Sequence, residues 1–319
     1  MGGGAVAGVP LLRGLEQRRS RAVRHGGPGR TVGRVEAAVA PVVTGSSGAP
    51  DVLRDLVGAG GVVVLSGAGI STESGIPDYR GPTGASRRVT PMTYQLFTTD
   101  PVARRRYWAR SHLGWRLVDR ARPNEGHRAV AEMEARGLLR GIVTQNVDGL
   151  HQAAGARSVI DLHGRLDRVV CLDCRALSRR DELAERLHEA NPGWDAAATG
   201  VNPDGDVDVP DEQLDGFRTV DCTRCAGTLK PDVVFFGENV PAGRVAECYD
   251  LVDRSRALLV LGSSLTVFSG HRFVLRAAKR GIPVGIVNQG ATRGDPLAAV
   301  TVDAPLGTTL SGLTASLPA

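Results

Sequence analysis

Apolar positions change their spacing several times along this chain, and each change predicts an element. Between Asp51 and Val57 they fall at Val52, Leu53, Leu56 and Val57, one face of a helix that Gly58 and Gly60-Gly61 close. Val62-Val63-Val64-Leu65 is then continuously apolar, as a strand buried on both faces requires. Ile142-Val143-Thr144, Leu258-Leu259-Val260-Leu261 and Val284-Gly285-Ile286-Val287 have the same character. Helical spacing separates them at 124–136 (closed by Gly137), 245–254 and 271–280 (closed by Gly281). Buried strands alternating with helices predict an α/β fold, a doubly wound parallel Rossmann-like sheet. Two stretches break the rhythm. Residues 1–46 are Gly, Ala and Arg without a lasting apolar period, which predicts a disordered tail. Residues 165–233 hold a helical segment at 180–189 and the acidic turn Asn202-Pro203-Asp204-Gly205-Asp206, too polar for sheet core. They predict a smaller domain inserted into a larger one formed by 47–164 and 234–319.

Composition narrows the class. At 319 residues with 42% apolar content, the chain has material for a sizeable core. No apolar run approaches the ~20 residues of a membrane span, and no signal-peptide apolar block is present, so no membrane role is expected. The net charge of +5 comes almost wholly from arginine, the lysines being Lys230 and Lys279. These cations are scattered without interleaved aromatics, which argues against direct nucleic-acid binding. Four of the five cysteines form the pairs Cys171/Cys174 and Cys222/Cys225. Such pairs point to a reducing compartment, hence a cytoplasmic protein. An Arg-rich, acid-poor start is also compatible with a transit peptide and the mitochondrial matrix, or with a flexible tail or an over-extended translation start. The remaining Cys248, in the helical stretch 244–253, is expected to be a buried small apolar residue.

The two Cys-x-x-Cys pairs suit one tetrahedral structural Zn²⁺, since a tight turn aims both thiolates of a pair at one ion. Redox pairs and a nucleic-acid zinc ribbon are the alternatives, although the gap between the pairs exceeds that of compact ribbons. After the strand at 62–65, Gly67-Ala68-Gly69 can let backbone approach a pyrophosphate or can serve as a tight structural turn. The dehydrogenase fingerprint fails at its third element, because Thr72 stands there. The following polar loop, 72–80, holds Asp78, Tyr79 and Arg80 and could close over a cofactor, or be a surface loop with an Asp–Arg pair. Gln145, Asn146, Val147 and Asp148 follow a strand end, where open α/β sheets bind ligands; His151 there either packs and caps or catalyses. His163-Gly164 offers an accessible imidazole suited to general-base work. Lys230–Glu238 is extended, either a strand returning to the sheet or an edge that pairs with a peptide. Gly262-Ser263-Ser264 and Asn288-Gln289-Gly290 end two more strands and would line the same crevice.

In this order, these motifs resemble the sirtuin family of NAD-dependent protein deacylases from about Val62 to Gly307. The matching segments are Gly67–Ser71, Gly75–Arg80, Thr144–Asp148, Leu162-His163-Gly164, both Cys pairs, Lys230–Glu238 and Gly262–Ser264. Ser71–Ser74, Arg106–Arg110, Cys171–Cys174 and Asn202–Asp206 look closest to class II, which includes the mitochondrial sirtuin-4 type. The resemblance implies a transferase that consumes NAD as a co-substrate. Its contacts would be Gly67, Ala68, Gly69, Ile76, Asp78, Tyr79, Arg80, Gln145, Asn146, Val147, Asp148, Gly262, Ser263, Ser264, Asn288, Gln289, Gly290 and Leu306. Asn146 and Asp148 would hold nicotinamide and its ribose. The acyl-lysine oxygen would attack ribose C1′ and expel nicotinamide; His163 would act as base on a ribose hydroxyl; water would then release lysine and O-acyl-ADP-ribose. Acyl-lysine protein substrates would add as a strand along Val233, Val234, Phe235, Phe236 and Gly237. Tyr79 stands where many relatives have Phe. Mono-ADP-ribosyl transfer, removal of longer, lipoamide-type acyl groups, and a non-catalytic NAD- or zinc-dependent binding module are the alternatives.

Overall fold

Val62–Leu65 lies in an interior strand of a seven-stranded parallel sheet, and its alternating side chains seed two separate cores. The computed structural model describes residues 43–44, 48–79, 91–198, 202 and 205–318. In chain order the first elements are β1 (Val43–Thr44), α1 (Ala49–Gly58), β2 (Val62–Ser66), α2 (Tyr94–Thr99), α3 (Pro101–Arg120) and α4 (Glu125–Ala135). β3 (Leu139–Thr144), α5 (Leu150–Ala153), β4 (Val159–Asp161), β5 (Gly164–Cys171), β6 (Leu177–Arg179) and α6 (Arg180–Ala190) follow. The chain closes with β7 (Leu229–Val233), α7 (Ala242–Asp253), β8 (Ala257–Leu261), α8 (Phe268–Lys279), β9 (Val284–Asn288), β10 (Val300–Asp303) and α9 (Leu306–Ser316). The main sheet runs β1-β10-β9-β8-β2-β3-β4.

Successive strand residues point to opposite faces. Val62 and Val64 therefore join α1, α4 and α9 through Leu53, Val57, Val130, Met133 and Leu310. Val63 and Leu65 join α7 and α8 through Val252, Phe273, Val274 and Ala277. Cys248 belongs to this second core, fully buried, and burial pushes its thiol pKa up to about 12. At ~1.5–3 kcal/mol per buried Val, Leu or Phe, covering both faces is the main stabilising term. Each long helix and buried strand expected from periodicity is present, within a few residues at its ends.

Several features depart from the sequence reading. Val43–Thr44, expected in the 1–46 tail, adds an edge strand parallel to Val300–Thr301; the rest of 1–46 lies outside the described residues. Stretch 165–233 builds a sheet of its own, β6-β5-β7, antiparallel and three-stranded. The apolar cluster over that sheet also takes Phe97 of α2 and Tyr107, Trp108 and Val118 of α3. The apolar cluster at the small sheet thus draws on 94–120 as well as on 165–233. α3 escapes a periodicity reading because its buried stripe includes Ser111, His112 and Gly114. α9 escapes it because Gly307 and Gly312 dilute a Leu306/Leu310/Leu313 stripe that packing on α4 makes helical. Arg180 is buried here, its guanidinium over the rings of Trp108 and Trp115 at 5.4 Å and donating to the Ser111 carbonyl. Among the described residues, no helix is long and apolar enough to cross a membrane.

Candidate active site

The C-terminal ends of β9, β8, β2, β3 and β4 share one edge of the main sheet. A cavity of 790 Å³ runs along it, from Asn288, Gln289 and Gly290 after β9 to His163 after β4. Four strand spacings of about 4.8 Å make this a span of roughly 19 Å, suited to an elongated ligand. Of the residues singled out from sequence, Gly67, Ala68, Ile76, Asp78, Tyr79, Gln145–Asp148, His163, Val233–Gly237, Ser263, Ser264 and Asn288–Gly290 all line it. Gly69, Gly262 and Leu306 do not. Leu306 opens α9 inside the core, and the neighbouring Gly307 N–H is held by the Glu73 carboxylate at 3.0 Å. Arg80 lies outside the described residues, as do Pro203 and Asp204.

The glycine turn has the close backbone packing of the structural reading. Gly67 N–H donates to the Leu261 carbonyl and Gly69 N–H to that of Gly262, at 2.9 and 2.8 Å. A Cβ on Gly69 would come within 2.8 Å of Gly262 Cα. Glycine here lets the turns after β2 and β8 cross in contact. Residues Ala68–Ser74 form a 3-10 helix, where a loop was expected from Thr72 onward. Its Ser71 was not anticipated. The Ser71 hydroxyl donates to Asp148 Oδ2 at 2.7 Å and accepts from Asn146 Nδ2 at 3.0 Å. Asn146 Nδ2 also donates to the Gly67 carbonyl, so this amide and carboxylate are fixed before any ligand arrives. Burial raises the Asp148 pKa against the hydrogen bonds from Leu150 N–H and Ser71.

Beneath this layer, His151 Nε2 donates to Ser66 Oγ at 2.8 Å, and Ser66 donates to Thr144 Oγ1, which also accepts Asn146 N–H. His151 is buried and its pKa falls to about 4, chiefly by desolvation. It is a neutral support for the strand ends, the packing role. His127 lies against it, rings 5.1 Å apart, and burial lowers its pKa to about 3.

His163 sits where the chain leaves β4 for β5, between the two sheets. Its Nδ1 is 2.8 Å from the Gln145 carbonyl, which can only accept, so Nδ1 carries the proton. Nε2 therefore keeps a lone pair, and it meets the Ser269 hydroxyl at 2.8 Å. Burial holds the imidazole pKa below its usual value, with Arg244 and Arg272 acting in the same direction and the Gln145 bond opposing. The ring is neutral near pH 7 and can take a proton from a hydroxyl. Gly164 has φ +82, and a Cβ there would lie 2.0 Å from the Asp232 carbonyl oxygen. The His-Gly step is thus the point where β5 and the end of β7 touch, with Val234 N–H donating to the His163 carbonyl at 2.8 Å. Ser269 lies in the first turn of α8, which begins three residues earlier than periodicity suggested, so its place over His163 had no signal in the sequence.

Leu229–Val233 is a strand of the small sheet, not of the main one. The segment after it lies along the cavity but is partly engaged. Phe235 N–H donates to Glu238 Oε2 at 2.9 Å, and Phe236 accepts from Tyr94 N–H at 2.9 Å. Buried Lys230 bonds Glu238 Oε2 at 3.0 Å and the Val233 carbonyl, bracketing the segment. Tyr79 meets Phe236 edge-on at 5.9 Å at the cavity wall.

The four paired cysteines converge. Their sulfurs all lie within 4.8 Å of one another, with Cys171–Cys225 at 3.5 Å and Cys174–Cys222 at 3.8 Å. A tetrahedron with Zn–S of about 2.3 Å has edges of about 3.8 Å, so the donor set fits Zn²⁺. The two turns are alike: Arg175 N–H returns to the Cys171 carbonyl and Ala226 N–H to that of Cys222, both residues at positive φ. Four thiolates leave no open position, so the ion would pin the small sheet and take no part in chemistry.

A protein-family model described as the Sir2 family matches residues 67–269. NAD-dependent protein deacetylase 1 of Streptomyces coelicolor is 66% identical over 240 residues, covering 75% of this chain and 80% of that protein. A solved Sir2 enzyme superposes with a TM-score of 0.67 at 30% identity, covering 85% of this chain and 98% of that one. A Sir2–p53 peptide–NAD⁺ complex gives 0.63 at 29% identity, over 82% and 96% of the two chains.

Proposed function

The chain belongs to the Sir2 family, and from that premise we propose that it is an NAD-dependent protein-lysine deacylase that consumes NAD and releases nicotinamide and O-acyl-ADP-ribose. One observation carries the reading. The Nε2 lone pair of His163 faces a cavity shared with fixed Asn146 and Asp148 and with the Val233–Gly237 segment. NAD, when bound, supplies a ribose carbon that becomes electrophilic as nicotinamide leaves. Asn146 and Asp148 orient the nicotinamide end, and the Gln145 carbonyl keeps the His163 tautomer that accepts a ribose hydroxyl proton. Ala68, Ser263, Ser264 and the 288–290 turn hold the remainder of the dinucleotide. The acyl-lysine enters beside Phe235 and Phe236, its peptide along the edge that Lys230 and Glu238 hold in place. Tyr79 and Phe236 form an apolar wall there.

We assign the chain to class II, close to the sirtuin-4 type. Supporting this, its branch-like segments pack together: Arg110 pairs with Asp206 at 3.2 Å, which accepts from Asn202 Nδ2 at 2.7 Å. The smaller domain is 165–233 joined by α2 and α3, and the thiolate cluster fits a cytoplasmic setting. Replacing His163 by Ala tests the central role. Acyl-lysine turnover should fall about 10²–10⁴-fold while NAD still binds; turnover like that of the wild type would refute the assignment.

A further inference from the structure

The parallel pairing of β3 with β4 breaks off one residue before the base. Ile142 pairs with Val159 and Thr144 with Asp161, and the pairing ends with Leu162 N–H donating to the Thr144 carbonyl at 2.9 Å. In a continued parallel ladder the next bond runs from Asn146 N–H back to the Leu162 carbonyl. That bond is not made, because Asn146 N–H turns to Thr144 Oγ1 at 3.1 Å. The departure lets the two strand ends diverge: Asn146 goes to Ser71 and the Gly67 carbonyl, His163 to Ser269. It also takes the ladder partner from the carbonyl that precedes His163, on a residue with no exposed surface. A buried backbone carbonyl in that position has to find another donor.

Arg244 supplies it. Its Nη1 donates to the Leu162 carbonyl at 3.1 Å from the first turn of α7. Nothing local accounts for an arginine there. It is the third residue of the helix, where the backbone dipole disfavours a cation, and the first turn holds no acidic residue. Among the described residues its guanidinium makes no ion pair. The bond to Leu162 is charge-assisted, and so stronger than the amide bond it replaces. α7 also follows directly on the cavity-lining stretch 233–240, whose Val234 N–H holds the His163 carbonyl at 2.8 Å. The backbone of the base is thus gripped on both sides from one segment of chain, 234–244.

We infer that Arg244 is a positioning residue for the general base: it replaces the missing ladder donor and so holds His163 with Nδ1 on the Gln145 carbonyl and Nε2 toward the cavity. The inference rests on the deacylase reading. Without the guanidinium the Leu162 carbonyl has to turn to another donor, and the His163 turn shifts with it. Asn146 keeps its bonds to Thr144, Gly67 and Ser71. Loss of Arg244 therefore acts on the step that uses His163 and spares the step before it, in which nicotinamide leaves.

The test uses the full chain, NAD and one acetyl-lysine peptide, and reads the two steps separately. Peptide-dependent exchange of labelled nicotinamide into NAD reports the first, and deacetylated peptide reports the second. For Arg244→Met, kcat for deacetylation should fall about 10- to 100-fold, as loss of a charge-assisted bond implies. Exchange and the KM for NAD should stay within about twofold of the wild type. Arg244→Lys, which keeps a cationic donor, should recover part of the loss. Where the Met variant does not fold, Arg244→Gln is read instead, with the same split expected. Deacetylation at the wild-type rate in the folded variant overturns the inference. So does an equal fall in exchange and deacetylation, which would assign Arg244 to the fold or to NAD binding. Neither exchange nor deacetylation by the wild type would refute the deacylase reading and this inference with it.

Discussion

Gly164→Ala probes the contact that fixes the base between the two sheets. The residue has φ +82, and its Cβ would sit 2.0 Å from the Asp232 carbonyl oxygen and 3.1 Å from Val233 Cα. Both are backbone atoms of β7, which pairs Val233 with Gly164 itself, so neither can swing aside as a side chain would. Two costs add: about 1–2 kcal/mol for a non-glycine residue in left-handed backbone, and about 1–3 kcal/mol for overpacking. Their sum is about 2–5 kcal/mol. Gly137→Ala is the matched control, with φ +76 and nothing within 4 Å of its Cβ, so it carries only the first cost. Thermal and denaturant unfolding of the two variants would isolate the clash. At about 2–4 °C per kcal/mol for a domain of this size, Gly164→Ala should melt roughly 2–12 °C below the control. Its kcat/KM should also fall further, because relief of the clash displaces His163 through the Val234 N–H bond. Equal losses of Tm and activity in the two variants would show that close approach is not why glycine follows this histidine.

Removing the metal should unfold the smaller domain: chelation or Cys222→Ser should abolish cooperative melting of its aromatic core, and a folded, active, zinc-free preparation would refute the structural role. The acid limb of kcat/KM should lie below pH 6.5 and the profile should be flat from 7 to 8, because burial lowers the His163 pKa and the base is already neutral there; a limb centred above 7 would contradict it. Stability should fall as the pH drops from about 6.5 toward 4. His127 and His151 have folded pKa values near 3 and 4, below the unfolded 6.5, so their contribution is present above 6.5 and lost on acidification, by up to about 1.4 kcal/mol per pH unit for each. Unfolding midpoints between pH 7 and 4.5 check this, and His151→Gln should flatten the slope.

The main sheet was legible because a strand buried on both faces has no polar alternation to disguise it, as in Val62–Leu65 and Leu258–Leu261. The cysteine cluster was legible because ligand spacing is local. What stayed hidden depends on tertiary partners. α3 buries Ser111, His112 and Gly114 on its inner stripe, and its Arg residues reach across to acids such as Asp206 and Asp211, so no apolar period survives. Ser71 and Ser269 take their meaning from residues 77 and 106 positions away, and nothing adjacent to them signals it. The glycine turn shows a further limit. Sequence could say that backbone approaches something closely at Gly69, but not that Gly262 is the residue it packs against.

The central claim is that this cavity couples NAD cleavage to removal of an acyl group from lysine. Mass spectrometry of a reaction containing the chain, NAD and an acetyl-lysine peptide tests it directly. The account predicts nicotinamide, deacetylated peptide and O-acetyl-ADP-ribose in equal amounts, none formed when either substrate is omitted or when His163 is Ala. Nicotinamide released without acyl-peptide, or ADP-ribose transferred to protein while the acetyl group stays on lysine, would contradict it.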